Sequence, residues 1–175
     1  MYLWRRIRKA MKYIFLGYMG AGKTTLGKSF ANAKKIPFTD LDELLEEVLG
    51  TSVGEFMEEK GELAFRKKEH EVVLDWIETS SEEAVLSLGG GTPVFYGHMD
   101  VLNEVGETVY LDVSVAELAK RLETDSDRPL LKDSGDKMEF IAKHLFERRP
   151  FYLQAKHRIK GDQLTLEDAL ALFEY

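Results

Sequence analysis

Short apolar runs alternate with longer amphipathic segments along this chain. Three runs have the length and composition of buried strands, at residues 13–16, 84–88 and 108–113. Helix-like segments lie between them, and the clearest cover residues 24–35 and 63–77. Strands that alternate with helices are typical of βαβ units, so the pattern predicts an α/β fold with a parallel sheet covered by helices on both faces.

Three helix starts carry a capping sequence. A hydroxyl residue followed three positions later by an acid can satisfy the free N–H groups of a first helical turn. The pairs are Ser52 with Glu55, Ser114 with Glu117, and Thr165 with Asp168. They predict helices that begin at these positions, and the last of these helices is expected to run to the end of the chain.

Composition adds boundaries to this picture. The 175 residues, of which 44% are hydrophobic and 31% charged, suit one globular domain. We expect that domain at 11–175, after a basic extension at 1–10 that is too short for a targeting peptide. The segment at about 123–136 is rich in Asp and Ser, and a loop of this length usually has a function. If it closes as a lid, its Arg128 can reach a transferring phosphate.

Charge and residue usage exclude several classes of function. The net charge of −7 argues against a nucleic-acid partner. Cysteine is absent, which excludes disulfides and thiolate metal sites, and no apolar run approaches the roughly 20 residues that cross a bilayer. The four histidines form no close pair in the sequence, so a histidine metal cluster is not expected; they are His70, His98, His144 and His157. We expect a cytoplasmic protein that is a monomer and has no membrane partner.

A phosphate-binding loop is the most specific motif in the chain. Residues 17–24, GYMGAGKT, match G-x-x-x-x-G-K-[ST] at every fixed position, after a predicted strand and before a predicted helix. Glycines allow backbone N–H groups to point at phosphate oxygens, and the helix adds the positive end of its dipole. Lys23 is expected to reach the β- and γ-phosphates, and the Thr24 hydroxyl to bind Mg²⁺. The motif predicts a site for a nucleoside triphosphate.

Two carboxylates follow the first helix. Asp40 and Asp42 lie at alternate positions after Phe38, at a predicted strand end, so both side chains can face the phosphate loop. One can hold the water shell of Mg²⁺, while the other can bind an acceptor hydroxyl and orient or deprotonate it. The alternative is a helix cap near Glu43, where acidic groups favour the helix dipole, and Asp42 is compatible with both roles.

Arginines outside the first ten residues are few, and their positions suggest ligand contacts. Arg66 lies three residues before Glu69, which fits either a solvated surface pair or an arginine held to bind an anionic substrate. Arg148 and Arg149 precede Pro150, which is expected to set a helix boundary.

The second predicted strand ends in three consecutive glycines, Gly89, Gly90 and Gly91. A tight turn needs only one or two glycines, so three favour close approach by a ligand at the carboxyl edge of the sheet. Asp112 also ends a strand, and we expect it to cap the turn to the helix that begins at Ser114.

Six features in this order resemble the shikimate kinase family across nearly the whole chain. They are GYMGAGKTT at 17–25, Asp40-x-Asp42, Phe65-Arg66 with Glu69, SLGGG at 87–91, RPLL at 128–131, and Arg148-x-Pro150-x-Tyr152. The resemblance implies a three-layer α/β/α P-loop kinase fold, with a five-stranded parallel sheet, a helical substrate-binding region and a lid. It also implies Mg²⁺-dependent transfer of the ATP γ-phosphate to the 3-hydroxyl of shikimate, a step of aromatic amino-acid biosynthesis.

The resemblance also implies a role for each matching residue. ATP is expected to contact Gly20, Ala21, Gly22, Lys23, Thr24, Thr25, Arg121 and Arg128, with Arg121 against the adenine and Arg128 closing from the lid. Mg²⁺ is expected at Thr24 and Asp40. Shikimate is expected to contact Asp42, Arg66, Gly89, Gly90, Gly91 and Arg148, with both arginines on its carboxylate. The catalytic residues are then expected to be Lys23, Asp42 and Arg128.

Other functions remain as alternatives. A gluconate-type kinase would use the same phosphate loop, although the arginine pair and the three glycines argue against it. A non-catalytic nucleotide-binding scaffold or switch would have lost a site residue or gained a guanine-reading Asn-Lys-x-Asp sequence, and neither is found. The segment 160–163 runs almost directly into the last helix, which leaves the contacts of the adenine open.

Overall fold

The computed structural model describes residues 11–124 and 136–174. The basic extension at 1–10, Arg128, and all but the ends of the lid expected at about 123–136 lie outside the described residues.

Five parallel strands form the sheet, in the spatial order β2-β3-β1-β4-β5. Their bounds are Lys12–Leu16 (β1), Phe38–Asp40 (β2), Ala84–Ser87 (β3), Gly106–Asp112 (β4) and His157–Lys160 (β5). The three apolar runs are confirmed as β1, β3 and β4. The polar sequence of β5, HRIK, gave no apolar signal because this edge strand buries only Ile159.

Eight α-helices and one 3₁₀ turn occupy the described residues. The helices are Lys23–Lys34 (α1), Leu41–Leu49 (α2), Val53–Lys60 (α3), Glu62–Thr79 (α4), His98–Val105 (α5), Val115–Glu123 (α6), Lys137–Tyr152 (α7) and Leu166–Ala171 (α8), and the 3₁₀ turn is Thr92–Val94. The predicted capping residues are confirmed, because Ser52, Ser114 and Thr165 each accept a hydrogen bond from the N–H group three residues later. The last helix ends at Ala171 and does not continue to the end of the chain.

The expected helix boundary at Pro150 is wrong. Pro150 lies inside α7, which continues to Tyr152 before it ends. A proline removes one helical hydrogen bond, yet the following turn is held by tertiary contacts. The buried Tyr152 packs against Tyr110 of β4, with their ring centroids 5.2 Å apart, so the helix end stays attached to the sheet.

Alternation along β1 builds the core on both faces of the sheet. Tyr13 and Phe15 both pack edge-on against Phe30 of α1, and Tyr13 also packs against Phe173, just beyond α8. Ile14 and Leu16 are also fully buried, and they point to the opposite face. Within the described residues, no helix combines the length and the hydrophobicity that crossing a membrane requires.

The strand order brings the predicted motifs together. β3 lies between β1 and β2, with Ser87 paired in register with Phe15 on one side and Asp40 on the other. The carboxyl ends of these three strands therefore meet at one edge of the sheet, where open α/β sheets bind ligands. The phosphate loop, the two carboxylates and the three glycines come at or just after the ends of these strands, so all of them lie at that edge.

Candidate active site

The phosphate loop lies between β1 and α1, and its glycines adopt backbone angles that other residues rarely adopt. Gly20 and Gly22 have φ angles of 81° and 92°, in the left-handed region that favours glycine. A turn within the loop is closed by the Ala21 N–H, which donates to the Tyr18 carbonyl at 3.1 Å. Because Gly22 caps α1 without a side chain, no capping group covers the first N–H groups of the helix.

Lys23 folds back over this loop. Its ammonium group donates to the carbonyls of Gly17 and Tyr18, at 2.8 and 2.9 Å. These contacts hold the charge at the mouth of the loop, next to the N-terminus of α1.

Thr24 and Asp40 meet beside the loop. The Thr24 hydroxyl donates to Asp40 Oδ2 at 2.5 Å, so both predicted metal ligands are brought together. The other oxygen of Asp40 accepts from the backbone N–H groups of Asp42 and Glu43, at 2.9 and 3.2 Å. The cap of α2 is therefore Asp40, and the cap considered for Asp42 is wrong.

Arg66 is buried with an ionic partner. Arg66 is 6% exposed and Glu69 is 1% exposed, and the Nη1 atom donates to both carboxylate oxygens at 3.0 and 3.3 Å. Glu62 also accepts from Arg66 at 3.4 Å, and the guanidinium carbon lies 4.4 Å from the ring centroid of Phe95. The surface-pair alternative is therefore wrong, because a solvated pair would not be buried in this way.

Each of the three glycines lies against a different predicted site residue. A Cβ atom on Gly89 would lie 3.0 Å from Asp42 Oδ1, and one on Gly90 would lie 3.1 Å from Arg148 Nη1. A Cβ atom on Gly91 would overlap the guanidinium group of Arg66. Close approach of these three side chains therefore favours glycine along the run, and most strongly at Gly91.

Two adjoining cavities lie along the carboxyl edge of the sheet. The first, of about 220 Å³, is lined by Arg66, Arg148, the three glycines and Asp42, and we refer to it as the carboxylate cavity. The second, of about 250 Å³, is lined by Lys23, Thr24, Thr25 and Asp40, among others, and we refer to it as the phosphate cavity. Met19, Asp42 and Gly90 line both, so the two cavities meet at these residues.

A third cavity, of about 340 Å³, lies beyond the phosphate loop and includes Arg121. Arg121 donates to the Gly20 carbonyl at 3.0 Å, to Glu117 at 2.8 Å and to the Asp162 carbonyl. The short segment after β5 contributes Gln163 and Leu164 to the lining of the cavity. This part of the chain therefore reaches the cavity beside the phosphate loop despite its short length.

Two arginines that the site does not use converge on Asp112. Arg158 donates to Asp112 through Nε at 2.7 Å and also through Nη2, and Arg149 donates at 3.3 Å. Tyr110 adds a fourth donor at 3.1 Å. The expectation that Asp112 caps the next helix is wrong, because Ser114 fills that position.

Sequence reasoning missed two supports of the site. Tyr152 donates to the Gly90 carbonyl at 2.5 Å, and burial raises its pKa to about 12, so the phenol keeps its proton. Tyr18 and His144 Nδ1 lie 3.0 Å apart, which joins the phosphate loop to α7 one turn before Arg148. Burial, and next the charge of Arg148, lower the pKa of His144. Neither pairing leaves a local signal, because its partners lie more than 60 residues apart.

The histidines are also closer than their sequence positions suggest. His70 Nδ1 and His98 Nε2 lie 3.0 Å apart, so two of the four form a pair in space. Among the described residues, no three His, Asp or Glu side chains are placed to hold a metal ion together.

Comparison with known proteins agrees with this geometry. The family model described as shikimate kinase matches residues 19–174. A shikimate kinase from Phocaeicola vulgatus is 46% identical over 158 residues, which are 88% of this chain and 89% of the relative.

Solved structures extend the similarity to the fold. A crystal structure of shikimate kinase from Bacteroides thetaiotaomicron has a TM-score of 0.83 and 38% identity, covering 92% of this chain and 98% of that chain. Shikimate kinase from Acinetobacter baumannii in complex with shikimate has a TM-score of 0.82 and 29% identity, covering 93% and 89%. The predicted P-loop kinase fold is confirmed, and the chain belongs to the shikimate kinase family.

Proposed function

We propose that the chain transfers the γ-phosphoryl group of ATP to the 3-hydroxyl of shikimate, giving shikimate 3-phosphate and ADP. This proposal rests on one observation: the carboxylate cavity and the phosphate cavity adjoin, and Asp42 and Gly90 line both of them. An acceptor held in the first cavity can present a hydroxyl at Asp42 to a phosphate in the second. Positioning of this kind is the main catalytic contribution in phosphoryl transfer.

The carboxylate cavity suits a small anionic polyol. Arg66 and Arg148 both line it, and guanidinium groups match a carboxylate with paired donors. Asp42 and the backbone of the glycine segment supply partners for ring hydroxyls. A site built to hydrogen-bond hydroxyls discriminates strongly against analogues that lack them, because its own buried polar groups would then be unpaired.

The residues at the meeting point have distinct roles in the transfer. Asp42 accepts the proton of the 3-hydroxyl, or orients it, as that oxygen attacks the γ-phosphorus. The bond from the γ-phosphorus to the bridging oxygen breaks, and ADP leaves with the electron pair. Lys23 exchanges its loop carbonyls for phosphate oxygens, where its charge stabilises the transition state. Arg128, which lies outside the described residues, is proposed to add a second positive charge.

Thr24 and Asp40 fit a Mg²⁺ ion. A hydroxyl and a carboxylate oxygen 2.5 Å apart are the hard ligands that Mg²⁺ prefers. Next to Asp40, the buried Ser87 hydroxyl has no hydrogen-bond partner among residues 11–124 and 136–174, which fits a polar ligand there. When bound, Mg²⁺ supplies charge that neutralises phosphate oxygens. Thr24 and Asp40 hold this charge at the phosphate cavity.

The cavity beyond the phosphate loop is proposed for the adenine. Arg121 is fixed there by three partners, so its planar group can lie against a base at little entropic cost. We further propose that the enzyme is cytoplasmic, where ATP is available, and that it is a monomer.

Release of ADP in a coupled assay tests the proposed reaction. We expect turnover with shikimate and not with gluconate, and shikimate 3-phosphate as the product identified by phosphorus NMR. Turnover with gluconate alone would make the chain a gluconate-type kinase, and no turnover with either acceptor would favour a non-catalytic scaffold.

Lys23→Ala tests the role of the phosphate loop in the same assay. We expect the variant to fold but to show almost no phosphoryl transfer, because the positive charge that Lys23 brings to the phosphates is lost. Lys28→Ala on the exposed side of α1 is the matched control and should keep wild-type turnover, since within the described part of the chain Lys28 forms a 4.0 Å surface ion pair with Glu43. Turnover near wild type in Lys23→Ala would refute the assignment.

A further inference from the structure

The segment after the three glycines is attached to α4 by a ring of hydrogen bonds that begins at Glu69, in the lining of the carboxylate cavity. The Thr92 hydroxyl donates to Glu69 Oε2 at 2.9 Å, and the Thr92 carbonyl accepts from His98 Nδ1 at 2.8 Å. His98 Nε2 in turn lies 3.0 Å from Nδ1 of His70. Because Glu69 and His70 are consecutive residues of α4, these contacts close a ring through one peptide bond.

The direction of each hydrogen bond in this ring follows from the Thr92 carbonyl. A carbonyl only accepts, so Nδ1 of His98 carries a proton, and Nε2 of the neutral ring accepts. His70 therefore donates from Nδ1. Full burial lowers the pKa of His98. The hydrogen bond to Thr92 opposes this shift, and the neighbouring His70 and Arg66 add to it, so the net lowering keeps the imidazole of His98 neutral. Stacking of His70 on Tyr96, at 4.5 Å between centroids, fixes the outer histidine.

We propose that His98, supported by His70, is a positioning residue for the substrate carboxylate: it fixes Thr92, and through Thr92 it fixes Glu69 and Arg66. This proposal rests on the proposed function, because it deepens the role of Arg66 in that site.

The reason is that Arg66 has little freedom to find its position alone. Its Nη1 atom is bound by Glu69, and its Nη2 side faces Gly91, the residue directly before Thr92. Thr92 therefore sets both the glutamate that holds the guanidinium and the backbone that the guanidinium touches. Without the His98 contact, Thr92 can shift, and binding of the substrate must then order Arg66 at an entropic cost.

Steady-state kinetics of three variants test this proposal, with wild-type turnover of shikimate measured first. Loss of wild-type turnover would reject the proposed function, whereas the ratios of variant to wild type test only the positioning role. We expect His98→Ala to raise KM for shikimate about tenfold, the effect of one weakened polar contact, while kcat and KM for ATP stay within about twofold.

Two further variants separate positioning from a general loss of structure. In His98→Asn, the amide nitrogen occupies the position of Nδ1 and can donate to Thr92, so KM for shikimate should return to within about twofold of wild type. Thr92→Val keeps the shape and the carbonyl but removes the hydroxyl that binds Glu69, so it should raise KM for shikimate like His98→Ala. The Thr92→Val variant also tests the ring if His98→Ala does not fold.

Several results would overturn the proposal. An unchanged KM for shikimate in a folded His98→Ala protein or in Thr92→Val would do so. So would equal losses in kcat and in KM for ATP, because these would indicate a structural role only. A His98→Asn protein as impaired as His98→Ala would show that the Thr92 hydrogen bond is not the cause.

Discussion

Arg66 and Arg149 illustrate how one residue type serves two purposes in this chain. Arg66 is buried beside Glu69 and lines the carboxylate cavity, whereas Arg149 is partly exposed and donates to Asp112 outside it. A buried arginine needs a partner to offset the loss of hydration, and Glu69 provides it while leaving one edge of the guanidinium toward Gly91. The position of an arginine in the fold therefore decides its role.

Substitution of Arg66 tests this difference at the scale of one residue. We expect Arg66→Ala to weaken shikimate binding by about 2–5 kcal/mol, because a buried substrate carboxylate loses one of its two arginine partners. Titration calorimetry with shikimate measures this change, and Arg149→Ala is the matched control that should bind shikimate normally.

The buried Glu69 requires a second variant. In Arg66→Ala this carboxylate keeps the Thr92 hydrogen bond but loses its positive partner, which lowers stability. The double variant Arg66→Met with Glu69→Gln removes both charges and should fold while still binding shikimate poorly. If either folded protein binds shikimate like the wild type, Arg66 does not hold the carboxylate.

At the scale of elements, the glycine segment between β3 and the 3₁₀ turn connects the two halves of the site. It contacts Asp42 from α2, Arg66 from α4 and Arg148 from α7, so three helices meet at one stretch of backbone. The Tyr152 hydroxyl holds the Gly90 carbonyl from α7. The shape of the glycine segment therefore sets the spacing of side chains that come from distant parts of the sequence.

Gly91→Ala tests the requirement for close approach. The added methyl group would overlap the Arg66 guanidinium, which Glu69 prevents from moving freely, so we expect KM for shikimate to rise by about tenfold or more. Gly54→Ala is the matched control, because nothing lies within 4 Å of a Cβ atom there. The Gly54→Ala protein should bind shikimate normally. Because Gly54 lies inside α3, where alanine is more favourable than glycine, the free energy of unfolding should rise by about 0.5–1 kcal/mol. A normal KM in Gly91→Ala would contradict the close-approach explanation.

At the scale of the whole molecule, the net charge of −7 conceals a local group of positive side chains. Arg66, Arg148, Lys23 and Arg121 all line the cavities at one end of the sheet. Acidic residues elsewhere, many of them on exposed helix faces, determine the sign of the total. Net charge therefore describes the partners that the surface attracts and not those of a pocket.

Stability against pH is a second property of the whole molecule. Burial lowers the pKa values of His98 and His144 below that of an unfolded histidine, about 6.5. As the pH falls below that value, the unfolded chain takes up protons before the folded protein does. We therefore expect the free energy of unfolding to decrease from pH 7 to pH 5, by at most about 1.4 kcal/mol per pH unit for each histidine.

Urea unfolding at pH 5, 6 and 7 measures this dependence. His98→Asn removes one of the two groups, so its stability should fall less steeply over the same range. The difference between the two proteins isolates His98 from the carboxylates that both contain. Equal slopes in wild type and variant would show that His98 does not titrate below 6.5 in the folded state.

Prediction from the sequence succeeded where the signal was local. The strands β1, β3 and β4, the phosphate loop and the three capping residues depend on neighbours within a few positions, and all are present. It failed where distant contacts decide the outcome. The end of α7 is held past Pro150 by Tyr152 on the sheet, β5 forms from a polar sequence by pairing with β4, and Asp112 is bound by arginines 37 and 46 residues away.

By itself, the sequence determined that this chain has an α/β fold with a phosphate loop, and it predicted that several of its few arginines contact small anions. These properties follow from periodicity, from the backbone freedom of glycine and from the charge of single side chains. Only the tertiary structure decided which arginine lines a cavity and which pairs with Asp112, that Asp40 caps α2, and that His70 and His98 join Thr92 to α4. The physical reason is that burial and hydrogen-bond partners depend on chain segments that become neighbours only when the sheet assembles.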